Sequence, residues 1–228
     1  MPQRPSLVVA IDGPSGSGKS TVARRVAAEL GLRYLDTGAM YRAVTWWLLE
    51  QGVDLADTGR VAELTGSIPL TLGLDPKAPT VHVGDVDVAA AIRESRISAA
   101  VSAVATNLGV RNELVARQRE VARGGQVVIE GRDITTVVAP DAAVRVLLTA
   151  TEDARLQRRA LELHGRADAA AVEATRDQVI RRDADDSTVS NFVEAADGVQ
   201  VIDSSHLTLD QTVAAVLALV AEHTGTAA

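Results

Sequence analysis

One short segment constrains this chain more than any other. Leu7-Val-Val-Ala-Ile11 is a continuous apolar run ending at Asp12, and Gly13-Pro-Ser-Gly-Ser-Gly18-Lys19-Ser20 follows it at once. Ser20 to Leu30 then carries an apolar stripe of Val22, Val26, Ala27 and Leu30, closed by Gly31. A strand buried on both faces, a turn matching G-x-x-x-x-G-K-[ST] and an amphipathic helix form a single unit, and the context strengthens the motif. The glycines let successive backbone N–H groups face an anion, and the helix N-terminus adds positive potential. Gly13, Pro14, Ser15, Gly16, Ser17, Gly18, Lys19, Ser20 and Thr21 are therefore expected to hold a nucleoside triphosphate. Lys19 is expected to reach the β- and γ-phosphates, and the Ser20 hydroxyl to hold Mg²⁺.

The rest of the chain extends that unit into a parallel sheet. Leu32–Leu35, Gln126–Glu130, Ala143–Leu148 and Val199–Ile202 read as further apolar strands, alternating with helical patterns over Met40–Gln51, Glu152–Leu163, Ala170–Arg182 and Leu209–His223. Thr151 is the expected N-cap of the helix from Glu152. Between them, Ser67–Leu74 and Thr80–Val88 alternate with period two among prolines, predicting a small antiparallel patch. Ser98–Asn107 and Val110–Ala122 predict two more helices. Residues 38–122 thus read as an inserted α+β subdomain, with 1–37 and 123–228 as the core.

At 228 residues the chain suits one large α/β domain, and with no cysteine it has neither disulfides nor thiolate chemistry. No apolar stretch is long enough to span a membrane. Met1–Ser6 leads into the first strand without a small-residue cleavage site, so a cytoplasmic protein is expected. The net charge of −7 argues against nucleic acid as a partner. Of the 23 basic residues only Lys19 and Lys77 are lysines, so where the arginines cluster matters.

Asp36-Thr-Gly-Ala-Met-Tyr41-Arg42 follows the second strand, at the edge where open α/β sheets bind ligands. Its competing reading is a helix cap. Gly131-Arg132-Asp133 follows the next core strand at the same edge, where an arginine can grip phosphate with both arms. Arg155, Arg158 and Arg159 share one helix at spacings of three and four, which suits a polyanion or a solvated face. Asp183 to Asp186 close the following helix, where carboxylates oppose the helix dipole. They either serve a site or lie beyond the helix end. Ser102, Arg111, His164 and His223 read in isolation as surface residues, and Trp46 and Trp47 as packing residues.

Taken together, these segments resemble the bacterial-type cytidylate (CMP/dCMP) kinases of the P-loop nucleoside monophosphate kinase fold. The matching pieces are Ile11–Thr21, Leu35–Arg42, Ile92-Arg93, Val101-Ser102, Val110-Arg111, Val128–Ile134 and Pro140-Asp-Ala, in order along nearly the whole chain. The resemblance implies a three-layer α/β fold with a five-stranded parallel sheet, a lid at about 155–187 and a monophosphate-binding insertion at 38–122. It implies transfer of the ATP γ-phosphoryl group to CMP or dCMP with Mg²⁺, by a monomer. Residue by residue, it implies that Ser102, Arg111 and Asp133 read cytosine, with Asp36 and Tyr41 beside the monophosphate. Arg42 and Arg132 would grip the acceptor phosphate, and Arg182 and Asp186 would lie near the ribose and phosphates. Lys19, Arg132, Arg155 and Arg159 would surround the transferred group, with Arg158 on ATP. One position departs: Val189 stands where the family usually has an arginine, and Arg181 is the nearest substitute. A P-loop kinase for another small acceptor (UMP or a shikimate-like molecule) and a nucleotide-binding switch stay open as alternatives.

Overall fold

A computed structural model describes residues 7–225, so Met1–Ser6 lies outside the described residues. The central sheet is wholly parallel, in the order β2-β6-β1-β7-β8, from β1 (Val8–Asp12), β2 (Arg33–Asp36), β6 (Val127–Gly131), β7 (Val144–Thr149) and β8 (Gln200–Asp203). The apolar run of β1 is explained by its central place, because alternate side chains must enter two different cores. Val8 and Ala10 join Leu35, Val127 and Ile129 under α2 (Thr37–Glu50) and α5 (Leu108–Arg123). Val9 and Ile11 join Val128, Val146 and Leu148 under α1 (Lys19–Leu30) and α8 (Leu209–Thr224). Helices on both faces of a parallel sheet make the three-layer α/β fold.

The segment between β2 and β6 carries α2, α3 (Thr58–Thr65), α4 (Ser95–Ala105), α5 and an antiparallel sheet of β3 (Leu70–Gly73), β4 (Thr80–Val83) and β5 (Val86–Asp87). Its apolar residues, including Val61, Ile68, Val81, Ile92 and Val104, belong to the same hydrophobic cluster as one face of the central sheet. Trp46 and Trp47 pack against that cluster. Helix α3, started by the Asp57 side chain accepting from the Arg60 N–H, is an addition to the sequence reading; its eight residues are too short for periodicity to reveal.

Two boundaries differ in ways that matter for function. Helix α2 begins at Thr37 directly after β2, not at Met40, because Asp36 caps it by accepting from the Ala39 N–H at 2.8 Å. Helix α7 (Ala169–Ser187) runs a full turn past Arg182, so Asp183 and Asp186 stand on the helix. Helix α6 (Glu152–His164) starts at the Thr151 cap, as its sequence predicts, and packs on α7. Among the described residues, no helix is long and apolar enough to cross a membrane.

Candidate active site

The C-terminal ends of β1, β2 and β6 open into a cleft of about 1020 Å³, at the upper end of the usual size for a single ligand pocket. Ser15–Gly18 of the phosphate loop forms one wall. Gly13 lies so close to β7 that a Cβ there would come within 2.3 Å of the Leu148 carbonyl, which explains a glycine at the start of the loop. Gly16 has φ +78° and sits under α6: an added Cβ would come within 2.5 Å of the Arg155 backbone oxygen. Helix α6 therefore rests directly on the loop.

Lys19 begins α1, and its ammonium donates to the Pro14 carbonyl at 3.2 Å. Burial pushes its pKa down to about 8, with Glu130 opposing the shift and Arg132 and Arg182 adding to it. The Ser20 hydroxyl donates to Glu130 Oε1 at 2.7 Å. Glu130, the penultimate residue of β6, lies beside Asp36, its partner in the sheet register; burial first, then Asp36, pushes its carboxyl up to about 7. Ser20, Glu130 and Asp36 offer hard oxygen donors of the kind Mg²⁺ takes together with water and substrate phosphates. No cluster of three or more His, Cys, Asp or Glu able to hold a metal exists among the described residues. One residue back from the loop, the buried Asp12 accepts from the N–H groups of Ile134 and Thr135, each at 2.8 Å, and from the Thr135 hydroxyl at 2.6 Å. These bonds pin the turn after β6 to β1. Burial still lifts the Asp12 pKa to about 6 against their pull.

Across the cleft, guanidinium groups gather from four segments. Arg132 is held by Asp183 and Asp186, each at 2.8 Å, and stacks 4.3 Å from the Phe192 ring centroid. Arg159 pairs with Glu162 at 2.8 Å. Arg42 and Arg182 are different: the Nε of each is buried with no hydrogen-bond partner. Arg182 lies 3.7 Å from Asp186, and burial, Arg42 and Arg132 push its pKa down to about 9. Desolvation lowers Arg42 as well, with Asp36 opposing. Like charges buried together without full compensation are costly, and the arrangement calls for an anion. Deeper in the cleft, Arg111 pairs closely with Asp133 and donates to the Ala105 carbonyl at 3.3 Å. Burial raises the Asp133 pKa despite Arg111, and the neighbouring Tyr41 hydroxyl is pushed up to about 12, again by burial.

Of the residues singled out in the sequence, Ser15 to Thr21, Asp36, Tyr41, Arg42, Arg111, Arg132, Asp133, Arg158, Arg159, Arg182 and Asp186 line this one cleft. Gly13 and Pro14 lie behind it. Arg158 is committed to the protein itself, donating to the Ser17 carbonyl at 3.3 Å and to Ser204 Oγ and O at 2.9 and 2.6 Å. Arg155 pairs with Asp183 and donates to the Ser15 carbonyl at 3.0 Å, without lining the cleft. Ser102 lies instead in a shallow depression between α4 and α7 with Arg181, Asp185 and Thr188. Arg181 lines that depression and not the cleft, while Ser190, next to Val189, is on the cleft wall. The sequence reading gave no role to Glu130, Phe192 or Ser204, and left Asp183 between serving a site and lying beyond the helix end. Glu130 was findable, because it lies near the end of a core strand at the ligand edge of the sheet.

A family model for cytidylate kinase matches residues 9–222. The chain belongs to the cytidylate kinase family. The cytidylate kinase of Cutibacterium acnes is 51% identical over 216 residues, covering 94% of this chain and 96% of its own. That of Streptomyces avermitilis is 46% identical over 222 residues, covering 96% and 94%. In fold alone, an uncharacterized protein from Eubacterium ventriosum superposes with a TM-score of 0.50 at 13% identity, covering 93% of this chain and 96% of that one. Membership of the cytidylate kinase family accounts for the cleft size: two nucleotides have to meet in it.

Proposed function

We propose that this protein transfers the γ-phosphoryl group of ATP to CMP or dCMP. The observation that carries the reading is the pair of buried guanidinium nitrogens of Arg42 and Arg182, each without a hydrogen bond, in a cleft continuous with the phosphate loop. A phosphate dianion between them would supply the missing counter-charge. On the far side, the Arg111–Asp133 pair suits a base edge that both donates and accepts, as cytosine does. The family match favours this acceptor over a shikimate-like one and over a non-catalytic switch.

In this reading ATP lies on Gly13–Thr21, and the monophosphate lies under residues 38–122, the acceptor-binding insertion. Lys19 holds the β- and γ-phosphates. Arg42 and Arg182 fix the acceptor phosphate, and Arg132 and Arg159 bear on the group in transit. Ser20, with Glu130 behind it, would hold the Mg²⁺ that comes with ATP and neutralises charge on its phosphates. An acceptor phosphate oxygen attacks the γ-phosphorus as the bond to the β–γ bridging oxygen breaks, and ADP leaves. That oxygen is already anionic at neutral pH, so no general base is needed, and alignment carries the chemistry. Segment 155–187 acts as the lid that keeps water from taking the phosphoryl group. All of these side chains come from one chain, so a monomer suffices.

The test offers ATP and Mg²⁺ with CMP, dCMP, UMP, AMP and GMP in turn. A kcat/KM for CMP or dCMP at least about tenfold above the others is expected. Equal rates with all five would sink the acceptor assignment.

A further inference from the structure

The charged residue with the most far-flung partners in the site does not face the cleft. Asp183 stands on α7 near its C-terminal end, where a carboxylate is locally unfavourable. Its Oδ1 accepts from the Ser15 N–H at 3.1 Å and from Arg132 at 2.8 Å, and its Oδ2 pairs closely with Arg155. Arg155 in turn donates to the Ser15 carbonyl, closing a ring that joins the phosphate loop, the end of β6, α6 and α7. Burial alone would raise this carboxyl, but Arg132, the Ser15 N–H and Arg155 outweigh it and hold the group below the usual carboxylate range. Asp183 is absent from the cleft lining, whereas Arg132, one of its partners, is present.

We infer that Asp183 is a positioning residue, whose carboxylate aims Arg132 and Arg155 and makes that alignment one event with the seating of α6 on the phosphate loop. The inference rests on the phosphoryl-transfer reading above. A planar guanidinium held at two nitrogens by fixed carboxylates has one orientation, and Asp183 and Asp186 provide that hold for Arg132. Arg155 is tied at once to Asp183 and to the loop carbonyl, so it is in place only when α6 sits on the loop. Without the Asp183 charge, Arg132 and Arg155 repel one another, and the Ser15 N–H loses an ionic acceptor. Nothing in this ring touches nucleotide through Asp183 itself, so ground-state binding is largely spared and alignment in the transition state is lost.

The experiment compares wild type, Asp183→Asn, Arg155→Met and the double variant in CMP phosphorylation, with circular dichroism and thermal midpoints on each. Expected for Asp183→Asn are a kcat lower by about 10–100-fold, KM values for ATP and CMP within about threefold of wild type, and faster ATP hydrolysis without acceptor. Arg155→Met should cost at most about threefold more in the Asp183→Asn background, since its alignment is already lost. Should Asp183→Asn fail to fold, Asp183→Glu carries the same comparison, keeping the charge and changing its reach. A kcat within twofold of wild type, or losses from the two single variants that simply multiply, would overturn the inference while leaving wild-type CMP phosphorylation intact. Wild type that leaves CMP untouched would overturn both readings together.

Discussion

Arg42 and Arg182 are where residue-level physics and function pull apart. A buried guanidinium group short of partners lowers stability, and the same shortage makes an anion welcome. Arg42→Met, which removes the buried guanidinium whose Nε finds no hydrogen bond, should therefore raise the thermal midpoint of the ligand-free protein by several degrees, on the order of 1–3 kcal/mol. It should also raise KM for CMP by about 100-fold or more. Thermal unfolding with and without CMP checks both, and a variant that is less stable yet binds normally would refute the account. Asp12 offers a second residue-scale test. With its pKa raised from 3.8 to about 6 in the fold, its contribution to stability is fully present below pH 3.8 and lost as the pH rises through about 6. Between pH 4 and pH 7 the unfolding free energy of wild type should fall relative to Asp12→Asn by on the order of 3 kcal/mol. Urea unfolding of both proteins at the two pH values measures the difference.

Among the elements, helix α6 and the phosphate loop are joined at Gly16. Gly16→Ala adds a Cβ within 2.5 Å of the Arg155 carbonyl, at a φ of +78°, and should lift α6 off the loop. Expected are a kcat at least about tenfold lower and raised ATP hydrolysis without acceptor, with the sheet core and its circular dichroism unchanged. Unaltered turnover would show that α6 need not seat on Gly16. The same scale shows which signals were legible. The inner strands β1, β6 and β7 were readable because burial on both faces writes an unbroken apolar run, as Val8–Ile11 does, whereas the edge strand β8 is largely exposed and showed only as the short run Val199–Ile202. The full extent of α7 was not readable. Asp183 and Asp186 look like a helix stop in the chain, and they are tolerated in the last turn only because Arg132, Arg155 and Arg182 meet them from elsewhere.

At the scale of the whole molecule, a chain of net charge −7 encloses a cleft rich in arginine. Chelation by EDTA should abolish phosphoryl transfer, and added Mg²⁺ should restore it. Circular dichroism and the thermal midpoint of the nucleotide-free protein should stay unchanged, because the proposed Mg²⁺ arrives with the nucleotide phosphates. Unfolding on chelation would point instead to a structural metal. The insertion shares its hydrophobic cluster with the central sheet, so the acceptor side of the cleft is built on the same core as the phosphate loop.

What the sequence determined by itself is local. A glycine-rich turn between a buried strand and a helix specifies a phosphate cradle, because the ligand groups are backbone amides of consecutive residues. Side chains brought together from distant segments carry no such signature. Tertiary structure alone decided that Ser102 and Arg181 face a shallow depression and that Arg158 is committed to Ser17 and Ser204. It alone left Arg42 and Arg182 short of partners while Asp183 gathered three. Whether a charge is compensated depends on what burial removes and which opposite charge arrives, and in this site the opposite charges often come from other elements of the chain, as Asp183 does to Arg132 and Arg155.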